Sequence, residues 1–233
     1  MLPKILTALD FPTIDQAAAM ADRLRGKTGF KVGLELNTGA GTPAVVDAIG
    51  EDVFLDLKFH DIPNTVAGAV KAACGHGVAM LNVHCLGGEQ MMRAASKAAN
   101  EWFVQHGWRP MIIGVTILTS HDQASLLKIG IDPSLTVEQI VGRLAALAAN
   151  SGLDGVVCSP KEITIVRQTV CDDGFLVVTP GIRSASAPED DQKRTMPARQ
   201  AVDLGATNLV IGRPITGASD PLEVAESFLA EIL

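Results

Sequence analysis

Short apolar runs rich in β-branched residues recur along the chain, separated by longer stretches whose apolar positions fall at helical spacing. The runs are KILTALD (4–10), GFKVGL (29–34), VFLDLK (53–58), MLNVH (80–84), MIIGVT (111–116), GVVCS (155–159), FLVVT (175–179) and NLVIG (208–212). Helical stretches lie near 14–26, 42–50, 64–75, 88–106, 136–150, 160–170, 197–204 and 220–232. Eight strands alternating with eight helices predict a parallel α/β protein, and eight is the count that closes a (β/α)8 TIM barrel. An open doubly wound sheet is the alternative. The strands lack clean polar alternation, as expected of a sheet covered on both faces. Gly, Pro, Asp and Ser cluster where strands end, at 33–43, 60–65, 86–88, 180–190 and 212–220. In a barrel those are the loops that build active sites. No linker, low-complexity tract or longer repeat interrupts the pattern, so residues 1–233 read as a single barrel domain.

Against this greasy pattern, a few strands carry charge. In FLDLKFHDIPNT (54–65), Asp56 and Lys58 are two apart on the third strand, and strand alternation points both to one face. Asp61 follows just past the strand. Asp10 closes the first strand, Lys31 sits within the second and His84 ends the fourth. Charges cost too much to bury unless they pair, so the bland reading is a self-satisfied salt bridge. Charges at a barrel rim more often belong to a site. A carboxylate beside an ammonium favours the charged state of both, which suits Lys58 to donating a proton and not to forming an imine.

Two further segments carry chemistry. NLVIGRP (208–214) ends a strand in Gly212 and Arg213 and then turns into a helix. Glycine allows close backbone approach, arginine offers a planar fork, and barrels often hold phosphate after their last strands. TPGIRSASAPEDDQKR (179–194) is polar and long enough to close over a ligand, with Arg183 and Gln192 best suited to touch a phosphate.

Composition narrows the classes. Aromatics total 4%, Tyr is absent and the net charge is -7, a poor fit to nucleic-acid or membrane-surface binding. Cys74, Cys85, Cys158 and Cys171 form no C-x-x-C or zinc spacing and read as small buried hydrophobes in a reducing cytoplasm. No signal-peptide pattern and no run of 18 apolar residues is present, so neither secretion nor a membrane span is expected. No H-x-x-x-H or acidic cluster suggests a metal, and His60, His76, His106 and His121 receive no role.

At these residues the chain resembles the bacterial branch of the orotidine 5′-monophosphate decarboxylase family. The D-x-K-x-x-D signature is met by Asp56, Lys58 and Asp61 within DLKFHDIPNT. TALDFP, FKVGLEL, NVHCLGG, VTILTS, TPGIR, DQKR and IGRPI follow in the family's order over nearly the whole chain. The resemblance implies a cofactor-free, homodimeric lyase that removes CO₂ from orotidine 5′-monophosphate. It implies Lys58 as proton donor, with Asp56 facing the substrate carboxylate. Lys31 and Asp10 would be the ribose-side members of a charged array. Asp61 and Thr65 would come from the neighbouring subunit. Thr119 would meet the pyrimidine, Pro180 would line the pocket floor, and Arg183, Gln192, Gly212 and Arg213 would serve phosphate and loop closure. His84 resembles a strand-end histidine of structural role. The segment SASAPED between PGIR and DQKR is less typical. D-x-K-x-x-D alone is shared by sugar-phosphate lyases and synthases that use a metal and place an acid where Lys31 stands. A non-catalytic nucleotide-binding barrel is the remaining alternative.

Overall fold

The computed structural model describes residues 2–50, 52–183 and 195–233. The barrel strands are β1 (Ile5–Ala8), β2 (Gly29–Val32), β3 (Val53–Phe59), β4 (Met80–His84), β5 (Met111–Val115), β6 (Gly155–Val157) and β7 (Leu176–Thr179). Two-residue strands β8 (Ile182–Arg183) and β9 (Met196–Pro197) pair with each other outside the barrel, and β10 (Asn208–Ile211) completes it. The closed order is β1-β10-β7-β6-β5-β4-β3-β2, with every neighbouring pair parallel. All eight sequence-predicted strands fall in it, and the doubly wound alternative is excluded by closure.

Period-two alternation sorts the strand residues into two cores. Leu6, Ala8, Phe54, Met80, Ile113, Val178 and Val210 turn into the barrel, joined from below by Leu2. Their neighbours Ile5, Leu9, Val53, Leu55, Leu81, Val83, Val177 and Leu209 turn out against the helices. Burying each such side chain contributes about 1.5–3 kcal/mol, so a register slip that exchanged the two sets would be heavily penalised. The helices are punctuated by side-chain caps. Thr136 and Gln139 form a reciprocal box at the start of Val137–Asn150, and Asp220 caps Pro221–Ile232.

Helices also form at Leu34–Ala40 and Arg213–Thr216, where the sequence predicted loops, and at Gln123–Lys128, where it predicted no element. Each spans two turns at most, too short for hydrophobic periodicity to register. Cysteines differ in part from expectation. Cys74, Cys85 and Cys158 are buried, whereas Cys171 is exposed. Burial, outweighing backbone hydrogen bonds and, at Cys74, the charge of Arg109, pushes the Cys74 thiol up to about 11 and the Cys85 thiol to about 12. No helix among the described residues is long and apolar enough to cross a membrane.

The two ends of the barrel differ in how they treat charge. At the entry to β5 and β6, Arg109 grips Asp154 through two bonds of 2.7 and 2.8 Å, and Asp154 also accepts the Ile112 N–H at 2.7 Å. This fork closes on itself and fastens β5 to β6. Charge at the opposite end faces a cavity.

Candidate active site

The inward positions of the strands end in layers of decreasing greasiness. On β3, Phe54 belongs to the interior core, and Asp56 is the next inward residue. On β2, Lys31 points inward between the outward-facing Phe30 and Val32. Above this core opens a cavity of about 250 Å³. Ala8, Phe54, Val157 and Val210 make its floor, and Val115, Ile117 and Leu118 an apolar side.

One wall is an alternating chain of charge. The Lys31 Nζ donates to Asp10 Oδ1 at 2.9 Å and lies 3.6 Å from Asp56 Oδ2. The Lys58 Nζ donates to Asp56 Oδ1 at 2.6 Å. The Asp56 side chain retains 15% of its exposure and Lys58 31%, so each charge is substantially desolvated and stabilised by an opposite partner. Gly33 leaves room for this chain. A Cβ there would stand 3.0 Å from Asp10 Oδ1 and 3.1 Å from Lys31 Nζ. Across the barrel from β3, the segment leaving β7 supplies Pro180, Gly181 and Arg183, and the end of β10 supplies Gly212 and Arg213. Gly181 sits at φ +80°, a backbone that favours glycine. Arg183 also donates to the Ile182 carbonyl at 3.3 Å.

Of the residues singled out by sequence, Asp10, Lys31, Asp56, Lys58, Thr119, Pro180, Arg183, Gly212 and Arg213 all line this cavity. Asp61 and Thr65 do not. Both are exposed beyond the end of β3, and Asp61 Oδ1 accepts the Ile62 N–H at 2.6 Å. Gln192 lies outside the described residues. Among these residues no cluster of three or more His, Cys, Asp and Glu side chains could hold a metal ion.

Two features escaped the sequence reading. Lys58 has φ +53°, so simple strand alternation does not continue through it. Asn82, buried on β4, donates from Nδ2 to Asp56 Oδ1 at 2.6 Å and accepts the Lys58 backbone N–H at 2.7 Å. The signal was available as a lone amide at an inward strand position, where Met80 precedes it, but its partners lie 24 and 26 residues away.

His84, at the end of β4, accepts the Leu86 N–H at Nδ1 (3.4 Å) and stacks on His60 with centroids 5.4 Å apart. Burial first, then the neighbouring charges of His60, Lys58 and His121, lower its pKa from 6.5 to about 4. Between those values the unfolded chain takes up a proton that the native state refuses, so stability is lost as pH falls from about 6.5 to about 4. Replacing His84 with Asn keeps an acceptor for Leu86 and removes the titration. Thermal melts from pH 7 to pH 4.5 should therefore fall less steeply for His84→Asn than for the parent. Parallel slopes would remove His84 as a source of acid sensitivity.

A protein named orotidine 5′-phosphate decarboxylase from Trichlorobacter lovleyi is 50% identical, covering 99% of this chain and 95% of its own. One of the same name from Pseudomonas aeruginosa is 49% identical, covering 98% and 97% respectively. The crystal structure of orotidine 5′-phosphate decarboxylase from Lactobacillus acidophilus superposes with TM-score 0.84 at 34% identity, covering 100% of this chain and 99% of that one. The family model described as "Orotidine 5′-phosphate decarboxylase / HUMPS family" matches residues 3–228, and the chain belongs to that family.

Proposed function

We propose that the protein decarboxylates orotidine 5′-monophosphate to uridine 5′-monophosphate and CO₂, a step of pyrimidine nucleotide biosynthesis, with Lys58 as the acid. The observation that carries this reading is the chain of alternating charge, Asp10–Lys31–Asp56–Lys58, facing a cavity whose far wall holds Arg183 and Arg213. Phosphate fits the arginine side, where Gly212 lets backbone approach closely. The pyrimidine then reaches toward Lys58 and Asp56, with Thr119 beside the ring and Pro180 against it.

Loss of CO₂ from C6 leaves an electron pair in the plane of the ring, where the π system cannot absorb it. A fixed ammonium next to that carbon stabilises the localised charge, and Lys58 is held for this by Asp56. Lys58 then transfers a proton to C6, and the C–C bond electrons end in the new C–H bond. Asp56 facing the departing carboxylate adds repulsion in the ground state, a secondary contribution. Lys31, tied to both Asp10 and Asp56, keeps the array in register and reaches the ribose side.

Asp61 and Thr65 fit a role across a dimer interface, completing the site of a second copy. Their exposure supports it, as do the exposed apolar residues Leu34, Ile62 and Leu86 on the segments that follow β2, β3 and β4. The family description covers more than one activity, and metal-dependent sugar-phosphate lyases share D-x-K-x-x-D. A lysine at position 31, paired with two carboxylates, favours the nucleotide reading. Purified protein mixed with orotidine 5′-monophosphate and a chelator should deplete the orotate absorbance band. A band left unchanged both with chelator and with added divalent metal would overturn the decarboxylase reading in favour of the sugar-phosphate reaction.

A further inference from the structure

β3 and β4 do not run in step. Leu55 pairs with Leu81, but the next pairing is Phe59 with Val83, so Asp56, Leu57 and Lys58 bulge opposite the single residue Asn82. The bulge carries the two central charges of the site, and at its crest Lys58 adopts φ +53°. A residue inside such a bulge loses its ladder partner, and a left-handed backbone is unfavourable for a side chain as long as lysine. Something other than the sheet must hold it.

We infer that Asn82 is the positioning residue of the site, acting on the proposed chemistry through Lys58 and Asp56; the inference rests on the decarboxylase reading above. Its amide makes two bonds that only this orientation allows. The oxygen takes the Lys58 N–H that the ladder has lost, at 2.7 Å. The nitrogen donates to Asp56 Oδ1 at 2.6 Å, the same oxygen that receives the Lys58 ammonium at 2.6 Å. Turning the amide over would set NH₂ against N–H and oxygen against carboxylate. One side chain therefore fixes both ends of the lysine, its backbone directly and its ammonium through the shared carboxylate oxygen. Asn82 is 1% exposed and does not line the cavity, so it touches no substrate in this arrangement.

Residues that act in this way show their effect in turnover and not in binding. Without Asn82, the bulge can relax toward ordinary strand geometry, swinging the ammonium from its place, and a displacement near 1 Å costs about a hundredfold in rate. The arginine side of the cavity is built on other strands and should bind nucleotide as before. The test is steady-state kinetics with orotidine 5′-monophosphate on Asn82→Ala, alongside uridine 5′-monophosphate affinity by calorimetry and a thermal melt. The expected result is a folded variant with kcat lower by about a hundredfold or more and product affinity within about threefold of the parent. Should alanine prevent folding, Asn82→Ser keeps a small polar group in the strand and is read by the same criteria. A folded variant with kcat within tenfold of the parent overturns the inference. So does a loss carried by KM and product affinity with kcat preserved, and so does failure of both variants to fold, which would make Asn82 a residue of the fold alone. A parent protein without activity on orotidine 5′-monophosphate would instead defeat the decarboxylase reading.

Discussion

Replacing Lys58 with alanine should lower kcat for decarboxylation of orotidine 5′-monophosphate by at least about 10⁴-fold, the combined scale of a lost general acid and a lost electrostatic partner. Two contributions vanish together because one ammonium supplies both. It is the cation nearest the proposed C6 carbanion and the only proton source the reading assigns. Lys31 does not replace it, since its Nζ is committed to Asp10 at 2.9 Å and approaches Asp56 from the other oxygen. Binding should respond differently. The proposed phosphate-side groups Arg183, Gly212 and Arg213 line the cavity from the ends of β7 and β10, apart from Lys58 on β3, so product affinity should stay measurable. The variant leaves Asp56 facing the cavity without its closest cation, which should tighten affinity for a ligand carrying its own positive charge at C6. Rapid-quench or absorbance assays at high enzyme concentration give kcat, and calorimetry with uridine 5′-monophosphate gives binding. Turnover within a hundredfold of the parent would remove Lys58 from the acid role.

Orotidine, the substrate without its phosphate, should lose kcat as well as affinity, by on the order of a hundredfold or more in kcat. The reasoning is geometric. The charged wall is carried by the ends of β1, β2 and β3 and the arginine wall by the ends of β7 and β10, with β7 across the barrel from β3. A nucleotide anchored at the phosphate is held at one end while its ring meets fixed charges at the other. Those charges do not reorganise, because each is already paired. Remove the anchor and the ring samples the cavity, so fewer bound complexes have the carboxylate beside Asp56 and C6 beside Lys58. Adding phosphite in solution should restore part of the lost rate. If the truncated substrate changed KM alone, the phosphate would be a handle for affinity and nothing more.

Much of this was legible in the residue pattern, for identifiable reasons. The barrel strands are short, β-branched and bounded by turn residues, so their positions follow from local composition. Asp56, Lys58 and Lys31 stood out because charge is expensive in a strand that is otherwise apolar. The short helices did not register, since Leu34–Ala40 and Arg213–Thr216 offer too few turns for periodicity. Asn82 carries no signal of a role in the sequence, because its importance arises from a register shift between two strands, a relation that no local window contains. The left-handed turn of Lys58 was invisible for a related reason. Lysine has no preference for that region, so only the surrounding bonds impose it. Asp61 and Thr65 remain proposals about a second subunit, and one chain places them at the surface.

That backbone angle has an evolutionary corollary. A lysine at φ +53° sits where glycine would rest more comfortably, by roughly 1–2 kcal/mol. Selection for heat resistance alone would therefore weigh this backbone cost against the ion pair Lys58 makes with Asp56. With the role proposed for Lys58, this backbone angle marks a tension between durability and turnover at one residue, and directed-evolution campaigns that reward melting temperature without also demanding growth in the absence of uracil should accumulate substitutions there.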